Sequence, residues 1–261
     1  MAHIEKHPAG NFCWIELVTS DQAAAKKFYC DLFGWTVVDS PMGPGDFYSI
    51  FKLAGRDSAA GYTLRKDQRD QGVPPHWGLY MEVASADDAA AKAAKLGGTV
   101  LAPAFDVMDV GRMAVVQDPT GAVFSVWQSK ARSGIGVSGE NNAFCWADLS
   151  TPDPAKAGQF YSGLFGWSLT TGEKDSSGYL HIKNGENFIG GIPPAHLRAP
   201  KAPAHWMVYI QVADVQGTAA KAAQLGAKVL MAPTKMENVG TLAIIADPQG
   251  AVFALFRSER K

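Results

Sequence analysis

An acid and a histidine that recur together are the first residues that could do chemistry. Glu16 with His76 has a counterpart in Asp148 with His205. Side by side, such a pair could move a proton on a substrate or contribute to a metal site, and a carboxylate facing an apolar space would have a raised pKa that suits a base. Trp14, Trp127 and Trp146 could stack on a planar ligand, and Tyr80 and Tyr209 add aromatic faces with a polar tip. What these groups can do depends on the elements that carry them.

Those elements are written twice. Phe12-Cys13-Trp14-Ile15-Glu16-Leu17 returns as Phe144-Cys145-Trp146-Ala147-Asp148-Leu149, and Leu32-Phe33-Gly34-Trp35 returns as Leu164-Phe165-Gly166-Trp167, both 132 positions on. His76-Trp77 returns as His205-Trp206, and Asp118-Pro119-Thr120-Gly121 returns as Asp247-Pro248-Gln249-Gly250, now 129 positions on. The chain is a duplication, and loops between the matched segments absorb the difference. Residues 8–128 and 143–258 form the two domains of this reading. Residues 129–142, polar and without apolar periodicity, form the linker.

Each half also echoes itself. A strand pattern at Phe12–Thr19 is followed by Asp21 at an N-cap position, and Ala25, Phe28, Tyr29, Leu32 and Phe33 form one apolar helix stripe closed by Gly34. Extended segments follow at 35–39, 47–53 and 59–64. The order then repeats with a strand at 76–84, cap Ser85, a helix over 86–96 and strands near 100, 112–117 and 122–127. This is βαβββ twice per half. Two helices cannot cover both faces of an eight-stranded sheet, so each sheet should curl, with one face on the helices and the other around a cavity. The fold class is α+β: two tandem domains of paired βαβββ units in curled, mostly antiparallel sheets.

Strand alternation sorts the side chains. Cys13, Ile15 and Leu17 share the face suited to helix packing, leaving Phe12, Trp14 and Glu16 for the cavity. Trp77, Leu79, Met81 and Val83 oppose His76, Gly78, Tyr80 and Glu82. Cys13 and Cys145 read as small buried hydrophobes. Cys30 has Lys26 and Lys27 one turn back, which would lower its pKa slightly.

Composition excludes several classes. With 24 basic and 25 acidic residues the net charge is −1, which gives no attraction to nucleic acid or to a membrane surface. At 47% apolar and 19% charged residues the chain has ample surface to bury, so it is not disordered. No apolar run reaches the roughly 18 residues of a membrane span. The N-terminal residues lack a signal-peptide core, and three cysteines fit a reduced, cytoplasmic protein. Neither a Gly-rich phosphate loop nor a Gly-x-Ser-x-Gly elbow is present.

The Asp-then-Phe-Tyr-then-Leu-Phe-Gly helix and the Asp-Pro-x-Gly turn before each last strand resemble the vicinal oxygen chelate superfamily, which includes glyoxalase I, bleomycin-resistance proteins and extradiol dioxygenases. The resemblance covers nearly the whole chain and places the last-strand residues Ser125 and Trp127 in the cavity. It implies a divalent metal on facing strands. The ligand positions it implies fall on Trp14, Gly78 and Ser125 in the first half and on Trp146, Met207 and Ala254 in the second. None of these is a usual ligand for such a metal. A two-residue shift would offer Glu16 with His76 and Asp148 with His205, still short of the three protein ligands of an open zinc site. The alternative is that each histidine sits at a strand entrance bonded to backbone and each acid pairs locally.

The expectation is therefore a metal-free small-molecule binding protein with no cofactor. Its sites would comprise Trp14, Glu16, His76, Tyr80, Ser125 and Trp127 in one half and Trp146, Asp148, His205 and Tyr209 in the other. The alternative is a metal-dependent enzyme of the glyoxalase or dioxygenase type, with Glu16 and His76 catalytic and a divalent metal bound. The resemblance further implies a monomer or homodimer, because single-domain members dimerise to complete their sheets.

Overall fold

The computed structural model describes residues 3–171, 177–199 and 202–259, arranged as two eight-stranded sheets of identical strand order. The first half runs β1 (Phe12–Thr19), α1 (Gln22–Phe33), β2 (Thr36–Gly43), β3 (Asp46–Leu53), β4 (Arg56–Thr63) and a short α2 (Lys66–Asp70). It continues with β5 (His76–Glu82), α3 (Ala86–Lys95), β6 (Thr99–Val107), β7 (Gly111–Gln117) and β8 (Val123–Ser129). The second half runs β9 (Phe144–Ser150), α4 (Pro154–Phe165), β10 (Ser168–Thr170), β11 (Leu180–Asn184) and β12 (Asn187–Ile192). It closes with β13 (His205–Gln211), α5 (Val215–Gln224), β14 (Lys228–Met236), β15 (Gly240–Ala246) and β16 (Val252–Ser258). No described helix is long and apolar enough to cross a membrane.

The first sheet is ordered β2-β3-β4-β1-β5-β8-β7-β6, and the second repeats it as β10-β11-β12-β9-β13-β16-β15-β14. In the first, β1 pairs with β4 and β5 with β8 in parallel, and the other neighbours are antiparallel. The sheets are mixed and open, the α+β arrangement of paired βαβββ units that the duplication predicts. The first strands of the two units, β1 and β5, lie side by side at the centre.

The helices begin and end where the sequence places their signals. Asp21 accepts a hydrogen bond from the Ala24 amide, and Gly34 closes α1 at φ +70°, a left-handed geometry that glycine adopts without a steric penalty. Asp153 and Gly166 do the same for α4. The predicted stripe of α1 is buried in full.

Part of that stripe packs on the other half of the chain. Tyr29 and Phe33 of α1 meet Phe253 of β16 at ring distances of 5.7 and 6.0 Å. Reciprocally, Tyr161 and Phe165 of α4 meet Phe124 of β8 at 5.5 and 6.0 Å. The Tyr29 hydroxyl donates to Asp247 (2.8 Å) and accepts from the Trp77 indole (3.0 Å), and the Tyr161 hydroxyl donates to Asp118 and accepts from Trp206, both at 3.0 Å. Asp118 and Asp247 also cap their own Asp-Pro-x-Gly turns through backbone amides. One hydrophobic cluster therefore runs through both halves.

Two expectations need correction. The register shifts between Phe12 and Trp14, so Phe12 pairs with Met81 and Trp14 with Tyr80, leaving Cys13 as an extra residue. This β-bulge, repeated at Cys145, breaks the simple alternation. Phe12 leaves the face of Trp14 and packs on Trp167 and Trp206 of the second half, at 5.7 and 5.4 Å. The second correction concerns Cys30. Burial and the adjacent Asp31 push its thiol pKa up and outweigh Lys26, so the expected lowering does not occur.

Residues 130–143 form neither helix nor strand, yet Ile135 and Val137 are buried. Cys13, Cys30 and Cys145 are unpaired thiols.

Candidate ligand site

In the first half three central strands bring Trp14, Glu16, Tyr80, Ser125 and Trp127 into one patch. Glu16 lies opposite Gly78 and Trp14 opposite Tyr80 across β1 and β5, and Tyr80 and Glu82 lie opposite Ser125 and Trp127 across β5 and β8. Glu16 is only 8% exposed, and both of its oxygens are engaged. Oε1 accepts from the Tyr80 hydroxyl and Oε2 from the Tyr48 hydroxyl, each at 2.6 Å. The Trp14 indole donates to the same Tyr48 oxygen at 3.0 Å.

Burial raises the Glu16 pKa, and the hydrogen bonds from Tyr48 and Tyr80, with Arg65, partly oppose it. Tyr48 and Tyr80 are themselves pushed well up by burial and by the Glu16 charge, so both keep their protons and act as donors.

Two further aromatics frame this cluster. Trp127 stands edge-on to Tyr80 at 6.5 Å and donates from its indole to the Arg132 carbonyl at 3.0 Å. Gly111 on β7 makes room for it, since a Cβ there would lie 2.1 Å from the ring. The Arg132 guanidinium lies 5.9 Å from the centre of the Trp14 ring and is ion-paired with Asp57.

The second half repeats the cluster with a shorter acid. Asp148 accepts from the Tyr209 hydroxyl (2.6 Å) on Oδ2, and from the Tyr179 hydroxyl (2.5 Å) and Trp146 indole (3.1 Å) on Oδ1. Burial again raises the carboxyl pKa against these hydrogen bonds. Gly191, opposite Asp148 on β12, lets Tyr179 reach across, because a Cβ there would lie 1.9 Å from the phenol oxygen.

The histidines stand apart from these acids. His76 is the first residue of β5, opposite Val18, and its Nδ1 lies 2.8 Å from the Pro74 carbonyl. His205 makes the same contact with Pro203 at 2.9 Å. A carbonyl only accepts, so Nδ1 is the donor in both, and burial lowers the His76 pKa, which leaves its Nε2 as an acceptor. The partners of Glu16 and Asp148 are tyrosines and a tryptophan, and neither acid is bonded to its histidine. Ser125 is buried in the strand beside Tyr80.

Sequence reasoning missed Tyr48, Tyr179 and His181. A signal existed for the tyrosines, which stand 131 positions apart, close to the repeat offset, but in the stretch where the two copies differ in length.

A protein-held divalent metal of the kind the resemblance implies does not fit these residues. The implied ligand positions carry Trp14, Gly78, Ser125, Trp146, Met207 and Ala254, none with a suitable donor. The neighbouring acids have both oxygens bound by hydroxyls. Among the described residues no group of three or more His, Cys, Asp or Glu is arranged to hold an ion.

Two halves of one topology, each with first strands paired at the centre and a polar cluster on the face away from the helices, define a duplicated glyoxalase-type fold. Residues 11–126 match the family model described as Glyoxalase/Bleomycin resistance protein/Dioxygenase superfamily, and residues 146–256 match one described as Glyoxalase-like domain. The chain belongs to the Glyoxalase/Bleomycin resistance protein/Dioxygenase superfamily.

It is 38% identical to the "Putative glyoxylase CFP32" of Mycobacterium tuberculosis, over 94% of this chain and 93% of that one. It is 32% identical to the "Anthracycline biosynthesis protein DauV" of Streptomyces sp., over 93% and 91%. Among solved structures it resembles the Mn(II)-bound glyoxalase from Novosphingobium aromaticivorans, with a TM-score of 0.65, 14% identity and coverage of 95% and 82%. It also resembles the 2,3-dioxygenase LapB from Pseudomonas sp. KL28, with a TM-score of 0.64, 14% identity and coverage of 95% and 92%. At that identity these two structures show the fold alone.

Proposed function

We propose that this chain is a cytoplasmic, small-molecule-binding member of the superfamily that works without a resident metal. In this reading residues 8–128 and 143–258 are two copies of one cluster-bearing domain joined by residues 129–142. The carrying observation is a buried acid clamped by two tyrosine hydroxyls beside a tryptophan, once in each half. A carboxylate offers about four acceptor directions, so Glu16 and Asp148 retain capacity for a ligand donor. Trp14 with Trp127, and Trp146 with Tyr209, supply flat apolar walls. His76 offers an Nε2 acceptor at its strand entrance, His205 stands at the matching entrance, and Ser125 offers a hydroxyl. Such a setting suits a neutral, planar, hydroxyl-bearing molecule. The name of the anthracycline-biosynthesis relative agrees with that chemistry, since anthracyclines are hydroxylated fused rings. Either a monomer or a homodimer is compatible with this reading.

The competing reading is a metal-dependent lyase or dioxygenase, with Glu16 and His76 among the reacting groups. It is favoured by the name of the mycobacterial relative, "Putative glyoxylase CFP32". The test is metal content by mass spectrometry after incubation with Mn²⁺, Zn²⁺, Ni²⁺ or Fe²⁺ and desalting, paired with thermal shift against neutral hydroxylated aromatics. The expected result is negligible retained metal and a rise in melting temperature with the aromatics. Retention of about one ion per chain would overturn the proposal in favour of the metal enzyme.

A further inference from the structure

The two clusters share a topology but not an environment. In the first half the segment leaving β8 crosses back over the site. The Arg132 carbonyl takes the Trp127 indole proton, its guanidinium covers Trp14, and the Ile135 amide donates to the Cys13 carbonyl at 2.8 Å. Gly134 (φ +131°) is required there, since a Cβ would lie 2.2 Å from that carbonyl oxygen. The strap is pinned beyond the site as well. The Gly136 amide donates to the Asp57 carbonyl at 2.7 Å, and His7 Nε2 bonds the Ile135 carbonyl at 2.9 Å.

The three residues under this strap have counterparts that open up in the second half. Cys13, Trp14 and Trp127 are 0%, 5% and 8% exposed, whereas Cys145, Trp146 and Phe256 are only half-buried.

The second half differs in chemistry too. In register across β11, β12 and β9 stand His181, Gly191 and Asp148, where the first half has Ile50, Ala60 and Glu16. An imidazole replaces an isoleucine in the row that holds the acid. His181 packs its ring on Tyr179 (4.9 Å) and on the exposed Phe188 (5.3 Å), and its Nδ1 is buried with no hydrogen-bond partner among the described residues. A native interior rarely leaves such an atom unsatisfied, and a site awaiting its ligand is one physical reason to do so. Arg198 reaches β9 at Ser150, two residues beyond Asp148, but its guanidinium is engaged by the Ser150 hydroxyl and the Ala202 carbonyl. The acid-bearing, aromatic-walled second site thus favours a neutral donor over an anion.

We propose that the ligand is taken by the second half alone and that His181 is its specificity-determining residue. The ligand class is a neutral hydroxylated aromatic whose hydroxyl completes the hydrogen bond that Nδ1 lacks. The first half is then a strapped, structural copy. This rests on the small-molecule-binding reading above.

The probe is 2,6-dihydroxynaphthalene, whose hydroxyls have no internal acceptor, with 2,6-dimethoxynaphthalene as the ring-matched compound lacking a donor. Calorimetric titration of the full chain should give about one dihydroxy ligand per chain, and H181F should weaken it by about tenfold, the loss of roughly one hydrogen bond, while leaving the dimethoxy compound unchanged. Amide hydrogen exchange needs no variant, and it should show ligand protection at 144–150 and 180–184 but not at 12–19 or 46–53. Two ligands per chain, protection in the first half, or an unaltered H181F affinity overturns this inference and leaves the binding reading standing. Failure of hydroxylated aromatics of any kind to bind the wild-type chain overturns both.

Discussion

Glu16 carries a consequence of its own burial. Its folded pKa lies above an ordinary glutamate value of 4.5, because desolvation outweighs the two tyrosine hydrogen bonds. The folded state therefore binds more protons than the unfolded state between these two values, and stability falls as pH rises through that interval. Glu16→Gln stays neutral throughout. Relative to wild type, its melting temperature should gain as pH rises from below 4.5 to neutrality, measured by thermal melts across that range. A difference that is flat with pH, or that moves the opposite way, would show that the hydroxyl clamp outweighs burial. Asp148, raised from 3.8 for the same reason, should behave alike.

At the scale of elements, α1 and α4 are joined to the opposite half by polar contacts as well as aromatic rings. Tyr29 links a helix of the first half to the Asp247 turn of the second, and Tyr161 makes the reciprocal link to Asp118. Burial and the Asp247 charge push the Tyr29 pKa well up, so its hydroxyl remains a donor. Tyr29→Phe keeps the ring but strands a buried carboxylate oxygen and the Trp77 indole proton. It should cost about 1–3 kcal/mol in chemical denaturation, as should Tyr161→Phe. A loss near zero for either would mean that solvent replaces the hydroxyl there.

The whole molecule is long enough for two independent domains, yet its helices and aromatic cluster are shared between the sheets. Separating the halves would expose Phe124, Phe253 and the aromatic faces of α1 and α4 together. Calorimetry should therefore show one transition, with calorimetric and van't Hoff enthalpies that agree, although chains of this size often unfold in steps. Two resolved transitions would contradict a shared core. The strap at 132–137 adds to the coupling, because it ties the first sheet to the chain that enters the second.

The sequence by itself determined the repeat, the βαβββ order, the helix caps and the faces of most strands. Those features are local: a capping Asp, a left-handed Gly or a two-residue alternation needs only its near neighbours. Glu16, Tyr80, Asp148 and Tyr209 were legible for that reason, since each lies on a strand whose alternation points it away from the helices. The tertiary structure decided what these groups touch. Tyr48 and Tyr179 reach their acids from another strand or from just before one, and no spacing rule predicts that. His76 and His205 satisfy their Nδ1 atoms on proline carbonyls two residues back, which the periodicity of a strand does not encode. The bulges at Cys13 and Cys145 moved Phe12 and Phe144 to the opposite face, because one extra residue inverts the alternation before it. The asymmetry between the halves was the least visible of all. It arises where an apparently polar connection buries Ile135 against the Cys13 bulge, a contact set by packing in space and not by pattern along the chain.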